Sequence, residues 1–292
     1  MKILLFGSNG QLGYEAHRTL FCYGDVIAVD YPVIDFTKPN QITSFISDVK
    51  PDLIYNAVAY TDVDKAENDI EKAFLVNAIT PGEISKYCKN NDVPLIHFST
   101  DYVFDGIKNE LYSEEDSPNP INVYGRTKLE GEYAIQNSGC NHLIFRTSWV
   151  YSLRVGGFVN KVIQWAQQNE KLRIVDDQIG NPTWARMLAE ISCFLIVNNL
   201  KDLKKFFDQY QSIFHLAGGG YTSRYEWTRS IIENLPKEVV TKVKEIIPAK
   251  STEFSTPATR PLFSALKCEK FELEFGIKIP NWKESLQLLL RS

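Results

Sequence analysis

Tyr124 and Lys128 stand four apart in VYGRTKLEGE. On a helix that spacing puts a phenol and an ammonium on one face. A nearby ammonium favours the phenolate and lowers a tyrosine pKa from about 10. A phenol tuned in this way passes a proton to or from an alcohol or sugar oxygen near neutral pH. The same spacing also arises by chance on helix surfaces, so the pair needs company. A second polar cluster is STDYVFDG, residues 99–106. It ends an apolar run with Ser99, Thr100 and Asp101, sets Tyr102 and Phe104 on alternate positions, and turns at Asp105-Gly106. On residue type alone, Asp101 reads as an acid, a substrate contact or the start of a loop.

A third cluster is FGSNGQLG, with Gly7, Gly10 and Gly13 between an apolar run and a helical pattern. Glycines there allow a tight turn and a close approach of backbone to a pyrophosphate. The following helix start offers N–H groups and partial positive charge to the phosphates. Asp30 closes the next apolar run, at the distance where a carboxylate meets an adenosine ribose. A carboxylate there accepts from ribose hydroxyls and repels a 2′-phosphate, which tilts the reading towards NADH over NADPH. Asp35 and Phe36 in VIDF are placed to flank an adenine. The small Ala57 and Ala59 of NAVAYT leave room for a flat cofactor, while Asn56 reads as structural.

These groups need a frame. KILLF, DVIAVD, DLIYNAVA, PLIHFST and LIFRTSWVY are short, apolar and partly β-branched. They read as strands covered on both faces, as in a parallel sheet. Leu12, Ala16 and Leu20 make one helical stripe, and Ile42, Phe45, Ile46 and Val49 another after Pro39. Phe74, Ile84, Tyr87 and Cys88 lie in a longer helical stretch that Pro81 should kink or split. The alternation predicts an α/β fold with a Rossmann-type doubly wound parallel sheet. Beyond residue 150 the rhythm loosens. FVNKVIQWAQQ and RMLAEISCFLIVNN are helical, LRIVDDQIG is a strand running into a loop, and SIFHLAGGG is another sheet strand. The expected division is a dinucleotide-binding domain over 1–150, with segments near 212–235 returning to it. A smaller, mainly substrate-binding C-terminal lobe covers 151–292.

Through FGSNGQLG, NAVAYTDVDKAE, STDYVFDG, NVYGRTKLEGE, LIFRTSWVY, DQIGNPT and TPATRPLFSALKCEKF, the chain resembles the extended short-chain dehydrogenase/reductases. Within them it looks like the dTDP-4-dehydrorhamnose reductases, from Met1 to about Trp282. The resemblance implies NAD(P)H-dependent reduction of the 4-keto group of dTDP-4-dehydro-β-L-rhamnose. Tyr124 would protonate the C4 oxygen, Thr100 would bond it, and Lys128 would hold the nicotinamide ribose and tune Tyr124. Gly7, Gly10, Gln11, Leu12, Asp30, Asp35, Phe36, Ala57, Ala59, Tyr60 and Thr61 fall at cofactor positions. Thr100, Asp101 and Trp149 fall at substrate positions with Tyr102 nearby, and Arg260 is the candidate for the diphosphate.

The chain departs from the family pattern at three places. Val58 stands in a run that is often three alanines, and Asn181 stands where a small residue is common. Thr259 stands where a second arginine often precedes Arg260, which weakens the expected grip on the diphosphate. Nucleotide-sugar dehydratases commonly read Thr-Asp-Glu, and Tyr102 takes the place of that glutamate. An elimination would lack its acid, so Asp101 is better read as a substrate contact, with Tyr102 and Phe104 as walls. A 4-epimerase normally lacks DYVFDG. The alternatives are a non-catalytic regulatory subunit of the same fold, or a reductase or epimerase of another NDP-4-keto-deoxysugar.

Composition bounds the partners. The chain has 292 residues and a formal charge of -4, with no Lys/Arg stripe, which argues against nucleic acid. Cys22, Cys88, Cys140, Cys193 and Cys268 are scattered and form no CxxC, so neither a disulfide frame nor a zinc knuckle is expected. Some relatives hold magnesium at a dimer contact, and Glu15 matches one such position, but one glutamate makes no site. No stretch approaches the ~18 apolar residues of a membrane span. The apolar run in MKILLFG is too short for a signal core. The expected setting is cytoplasmic, with a nucleotide-sugar substrate, no metal, no membrane, and a homodimer as an open possibility.

Overall fold

Alternate residues of the first strand enter two different cores. In the computed structural model, which describes residues 1–154 and 156–291, β1 is Lys2–Phe6. Its Ile3 and Leu5 join one apolar cluster, and its Leu4 and Phe6 join another. That split is the period of two for a strand covered on both faces. β2 (Asp25–Val29), β3 (Leu53–Asn56), β4 (Leu95–Thr100) and β5 (His142–Thr147) follow. The later strands are β6 (Val150–Tyr151), β7 (Lys171–Val175), β8 (Ile179–Gly180), β9 (Thr183–Trp184), β10 (Ser212–His215), β11 (Thr222–Ser223) and β12 (Glu245–Ala249).

The main sheet has the order β10-β5-β4-β3-β1-β2, and every neighbouring pair is parallel. The chain leaves β1 towards β2 and then returns to the other side of β1 as β3. The strand order therefore reverses between β1 and β3, where a crevice opens at the carboxyl ends of the strands. One face carries α1 (Gln11–Leu20), with Leu12, Ala16 and Leu20 buried. The other carries α2 (Pro39–Val49), α3 (Thr80–Asn91) and α4 (Val123–Ser138). Ile42, Ile46, Ile84, Cys88 and Ile135 fill the second core from these helices. Burial of each such side chain is worth roughly 1.5–3 kcal/mol.

Pro81 does not split its helix. Ile70–Phe74 is α-helical, Leu75–Ile79 forms a wider π turn, and α3 continues from Thr80. The wide turn sits just before the proline, where a missing N–H would otherwise break the ladder. Asn77 in that turn bonds the Tyr60 backbone at 2.8 and 3.2 Å and the Thr127 hydroxyl at 3.0 Å. The turn thus pins α4 to the loop after β3.

β10 returns to the main sheet beside β5, as SIFHLAGGG suggested. The later segment builds outward. α5 (Phe158–Gln168) packs against α7 (Arg224–Glu233), and β7 pairs in parallel with β12. α6 (Ala185–Asn198) lies on α1, and α8 (Trp282–Arg291) ends the described chain. Among the described residues, no helix is long and apolar enough to cross a membrane.

Candidate active site

The carboxyl ends of the main-sheet strands open into a cleft of about 2010 Å³. Pockets for one drug-sized ligand run roughly 300–1,000 Å³, so this cleft has room for two nucleotide-sized ligands.

The glycine loop floors one end. Gly7 has φ of 86°, and a Cβ there would lie 2.9 Å from the Ala57 carbonyl carbon. A Cβ on Gly13 would lie 2.0 Å from the Gly7 carbonyl oxygen. Both positions demand glycine, because loop, strand and helix meet there at backbone contact. Gly10 caps α1 without a side-chain bond, so the first N–H groups of the helix have no side-chain acceptor there. That cradle suits a pyrophosphate. Asp30 stands beside it, accepting from the Asn9 and Tyr31 N–H groups at 2.8 and 2.7 Å. Gln11 reaches the later chain, accepting from Ser152 Oγ at 3.0 Å.

Thr100 ends β4, opposite Thr147 of β5. Its hydroxyl donates to Asp101 Oδ1 at 3.1 Å and accepts from the Tyr102 N–H at 3.2 Å. Asn122 caps α4 by accepting from the Gly125 N–H at 2.8 Å. A Cβ on Gly125 would lie 2.1 Å from the Tyr102 carbonyl oxygen, so α4 passes close against the turn after β4. This contact brings Tyr124 to Thr100 and sets the Tyr102 and Tyr124 rings edge to face at 5.8 Å.

The electrostatics differ from the simple pairing of Tyr124 with Lys128. Burial pushes the Tyr124 phenol up from its ordinary value, and the Thr100 hydroxyl only partly opposes it. Lys128 is itself buried, and its ammonium is held to about 8 by loss of solvent, with Glu132 pulling the other way. Its Nζ donates to the Phe98 carbonyl at 2.7 Å and lies 3.2 Å from His97 Nε2. The Asn56 amide meets His97 Nδ1 at 3.1 Å, and burial followed by Lys128 keeps His97 neutral. Lys128 is thus anchored from β4, and the phenol answers to burial, Asp101 and Tyr102, which raise it, and to Thr100, which lowers it. Asn56, read from sequence as structural, and His97 form this anchor together.

Asp101 faces its neighbours rather than open space. Its carboxylate accepts from Thr100 on Oδ1 and from Ser148 (2.9 Å) and Ser264 on Oδ2. It is 2% exposed. Burial raises its pKa to about 6, against the pull of the three hydroxyls and Arg224. Both oxygens are taken by hydroxyls that hold Thr100 and the β5 end, where the sequence expectation had them meet a sugar.

The structure brings most of the sequence-predicted residues to the cleft. Gly10, Gln11, Leu12, Ala57, Ala59 and Thr61 line it with Thr100, Asp101, Tyr102, Tyr124, Lys128, Trp149 and Arg260. Gly7 lies beneath the loop. Asp35 does not reach the cleft: its carboxylate closes on Thr37 at 2.6 and 3.0 Å. Phe36 is core, edge-on to Phe6 at 5.5 Å. Tyr60 gives its hydroxyl to Asp69 at 3.1 Å. Glu15 pairs with Arg18 at 3.0 Å, and the described residues hold no cluster of three metal-ligating side chains. Trp149 has φ of 45° and stacks on Trp227 at 5.6 Å. Sequence reasoning missed Arg224, whose guanidinium lies 3.6 Å over the Trp149 ring. It also gave Ser148 and Ser264 no role. Ser148 and Ser264 both lay within recognised blocks, LIFRTSWVY and TPATRPLFSALKCEKF, whereas Arg224 lay in none.

A parallel sheet with its glycine loop at the reversal point, and Thr100, Tyr124 and Lys128 gathered at the strand ends, define an extended short-chain dehydrogenase/reductase. The model of the RmlD substrate binding domain family matches residues 1–292, and the chain belongs to that family. A dTDP-4-dehydrorhamnose reductase of Burkholderia thailandensis is 35% identical, over 100% of this chain and 98% of the relative. The crystal structure of a dTDP-4-dehydrorhamnose reductase from Clostridium acetobutylicum superimposes with a TM-score of 0.90 at 34% identity, covering 100% of this chain and 99% of that one. A Bacillus anthracis dTDP-4-dehydrorhamnose reductase in complex with NADP gives 0.89 at 29% identity, covering 99% and 98%.

Proposed function

We propose that the protein reduces the 4-keto group of dTDP-4-dehydro-β-L-rhamnose to give dTDP-β-L-rhamnose. The observation that carries this is the meeting of Thr100, Tyr124 and the anchored Lys128 beside the glycine loop. Full-length likeness to reductases of that name supports it. A nicotinamide dinucleotide, NADH or NADPH, supplies the hydride for C4. The unbonded helix start after Gly10 and the tight floor at Gly7 would hold its pyrophosphate, and Asp30 its adenosine ribose. Asp30 favours NADH by repelling a 2′-phosphate.

Tyr124 holds its proton at neutral pH, because burial keeps the phenol undissociated. It gives that proton to the C4 oxygen as negative charge develops there. Thr100 orients the same oxygen through its hydroxyl, and Asp101 orients Thr100. Lys128 contributes fixed positive charge behind the phenol and a donor for ribose hydroxyls. Arg260, paired with Asp64 at 2.6 Å, lies where a diphosphate would cross the cleft. Residues 1–150 with β10 form the cofactor domain, and the lobe built on α5 and α7 closes over the sugar. Five unpaired cysteines suit a reducing compartment such as the cytoplasm.

The test is turnover. The purified protein is incubated with dTDP-4-dehydrorhamnose and each reduced cofactor, and the product is identified by its C4 stereochemistry. Cofactor oxidation that depends on the keto sugar is expected. Cofactor binding with no oxidation against any 4-keto sugar nucleotide would favour a regulatory subunit and end the reductase reading.

A further inference from the structure

Arg224 opens α7 directly after β11, and its backbone N–H donates to the Gln178 carbonyl at 3.2 Å. Its guanidinium lies 3.6 Å from the ring centre of Trp149, 4.8 Å from that of Phe158 and 5.5 Å from that of Trp227. A guanidinium laid on aromatic faces keeps its five N–H donors at its edge. The platform is itself fixed. Trp149 is held in the left-handed region, and a Cβ on Gly180 would lie 2.6 Å from its indole. The donors of Arg224 are therefore set in place before any ligand arrives.

Among the described residues Arg224 forms no ion pair with a carboxylate. Its hydrogen-bonding neighbour is the Tyr102 phenol, which also lies beside Arg260, and the Asp101 carboxylate, held by its own three hydroxyls, acts on it only through space. Arg260 has its own acid, Asp64, and also donates to the Ala258 carbonyl at 3.3 Å. Two guanidinium groups thus flank one phenol on the wall of the cleft, and only one of them is neutralised by an ion pair. Thr259, next to Arg260, lines the same cleft and carries no charge.

We infer that Arg224 is a second cationic contact for the diphosphate of the substrate, working with Arg260 beside Tyr102. This rests on the nucleotide-sugar reading above. An arginine fork with no carboxylate in direct contact, fixed at the edge of a cleft and feeling Asp101 only at longer range, has donors left for an anionic acceptor. Phosphate oxygens accept two parallel N–H bonds from such a fork, which a single sugar hydroxyl cannot do. α7 thereby supplies the charge that position 259 lacks.

Calorimetry with thymidine 5′-diphosphate and with thymidine, on wild type, R224Q and R224Q/T259R, tests this. R224Q should bind the diphosphate about tenfold or more weakly and bind thymidine as wild type does. The KM for the nucleotide sugar should rise by a similar factor, with a smaller fall in kcat. T259R should recover part of the lost affinity in the R224Q background. Should R224Q fail to fold, R224M is read in the same way, because it keeps an unbranched chain over the Trp149 ring but carries neither charge nor fork. Diphosphate affinity within about twofold of wild type, or equal loss for thymidine and its diphosphate, would overturn the inference. Wild-type turnover is measured in parallel. Diphosphate binding that depends on Arg224 without turnover refutes the reductase reading and leaves Arg224 in place; turnover with an unaffected R224Q does the reverse.

Discussion

Asp101→Asn separates a positioning role from a stabilising one. The carboxylate is buried, and its pKa rises from 3.8 to about 6 on folding. The folded state therefore holds the Asp101 proton more tightly than the unfolded chain does. The sign follows: this group's contribution is fully present below about pH 3.8 and is lost as pH rises through about 6. The full loss is about 3 kcal/mol, and about 1.4 kcal/mol of it falls between about pH 5 and pH 7.5. An amide of the same shape has no such titration. The stability of Asp101→Asn relative to wild type should therefore improve by about 1.4 kcal/mol over that interval. Urea unfolding of both proteins at several pH values measures it, since the other titrating groups cancel in the difference. Activity should move the other way. Ser148 and Ser264 both meet Oδ2, so the amide carbonyl stays there and its NH₂ faces the Thr100 hydroxyl. Thr100 must then accept where it donated, and kcat should fall about tenfold or more. A stability difference that stays flat from pH 5 to 7.5 would refute the buried-charge reasoning. An unchanged kcat would remove Asp101 from the positioning of Thr100.

Tyr124→Phe should cut kcat by roughly 10²–10⁴ and leave the dissociation constant of the reduced cofactor nearly unchanged, because only proton transfer is removed. Equal losses in both would make Tyr124 a binding residue. The Lys128 ammonium, held near 8, predicts that kcat/KM for reduction falls as pH rises above about 8. Lys128→Met should give a low profile without that alkaline limb, and a surviving limb would assign it to another group. Asp30→Ala should raise the ratio of kcat/KM for NADPH to that for NADH, and a constant ratio would separate Asp30 from the ribose.

The main sheet was legible because a strand covered on both faces must be apolar at every position. Ile3 to Phe6 and Leu53 to Tyr55 obey that rule, and β4 breaks it only at His97, whose ring is bonded to Asn56 and Lys128. The rule overshot at NAVAYT, where β3 ends at Asn56 because Ala57 must turn to meet Gly7. LIFRTSWVY held two strands, not one, since Trp149 takes positive φ between them. Pro81 called for a break that a π turn absorbed. Asp35 and Phe36 matched by position, yet one folds onto a turn and the other into the core. The glycine loop and the Tyr/Lys pair are local patterns, and their residues share one cleft. Ser264 reaches Asp101 across 163 residues, and Arg224 reaches Trp149 through the pairing of β11 with β8. Neither contact leaves a period or a spacing behind, so only the folded chain shows them.

The Tyr-x-x-x-Lys spacing predicts a Tyr124 made more acidic by Lys128, and the folded site makes it less acidic through burial. For a reduction that is the useful sign. A proton donor must keep its proton until the alkoxide forms, and an alkoxide is a far stronger base than a phenolate, so a high phenol pKa does not block the transfer. The reverse step, alcohol oxidation, uses the phenolate as base, which is the scarcer form near neutral pH. Burial of Tyr124 thus keeps the phenol in the protonated form that a proton donor needs near neutral pH. Lys128, tied to Phe98 and His97 from β4, is fixed on the same cleft wall, one helical turn after Tyr124. The site is organised so that solvent exclusion keeps the proton on Tyr124, with only the Thr100 hydroxyl opposing it.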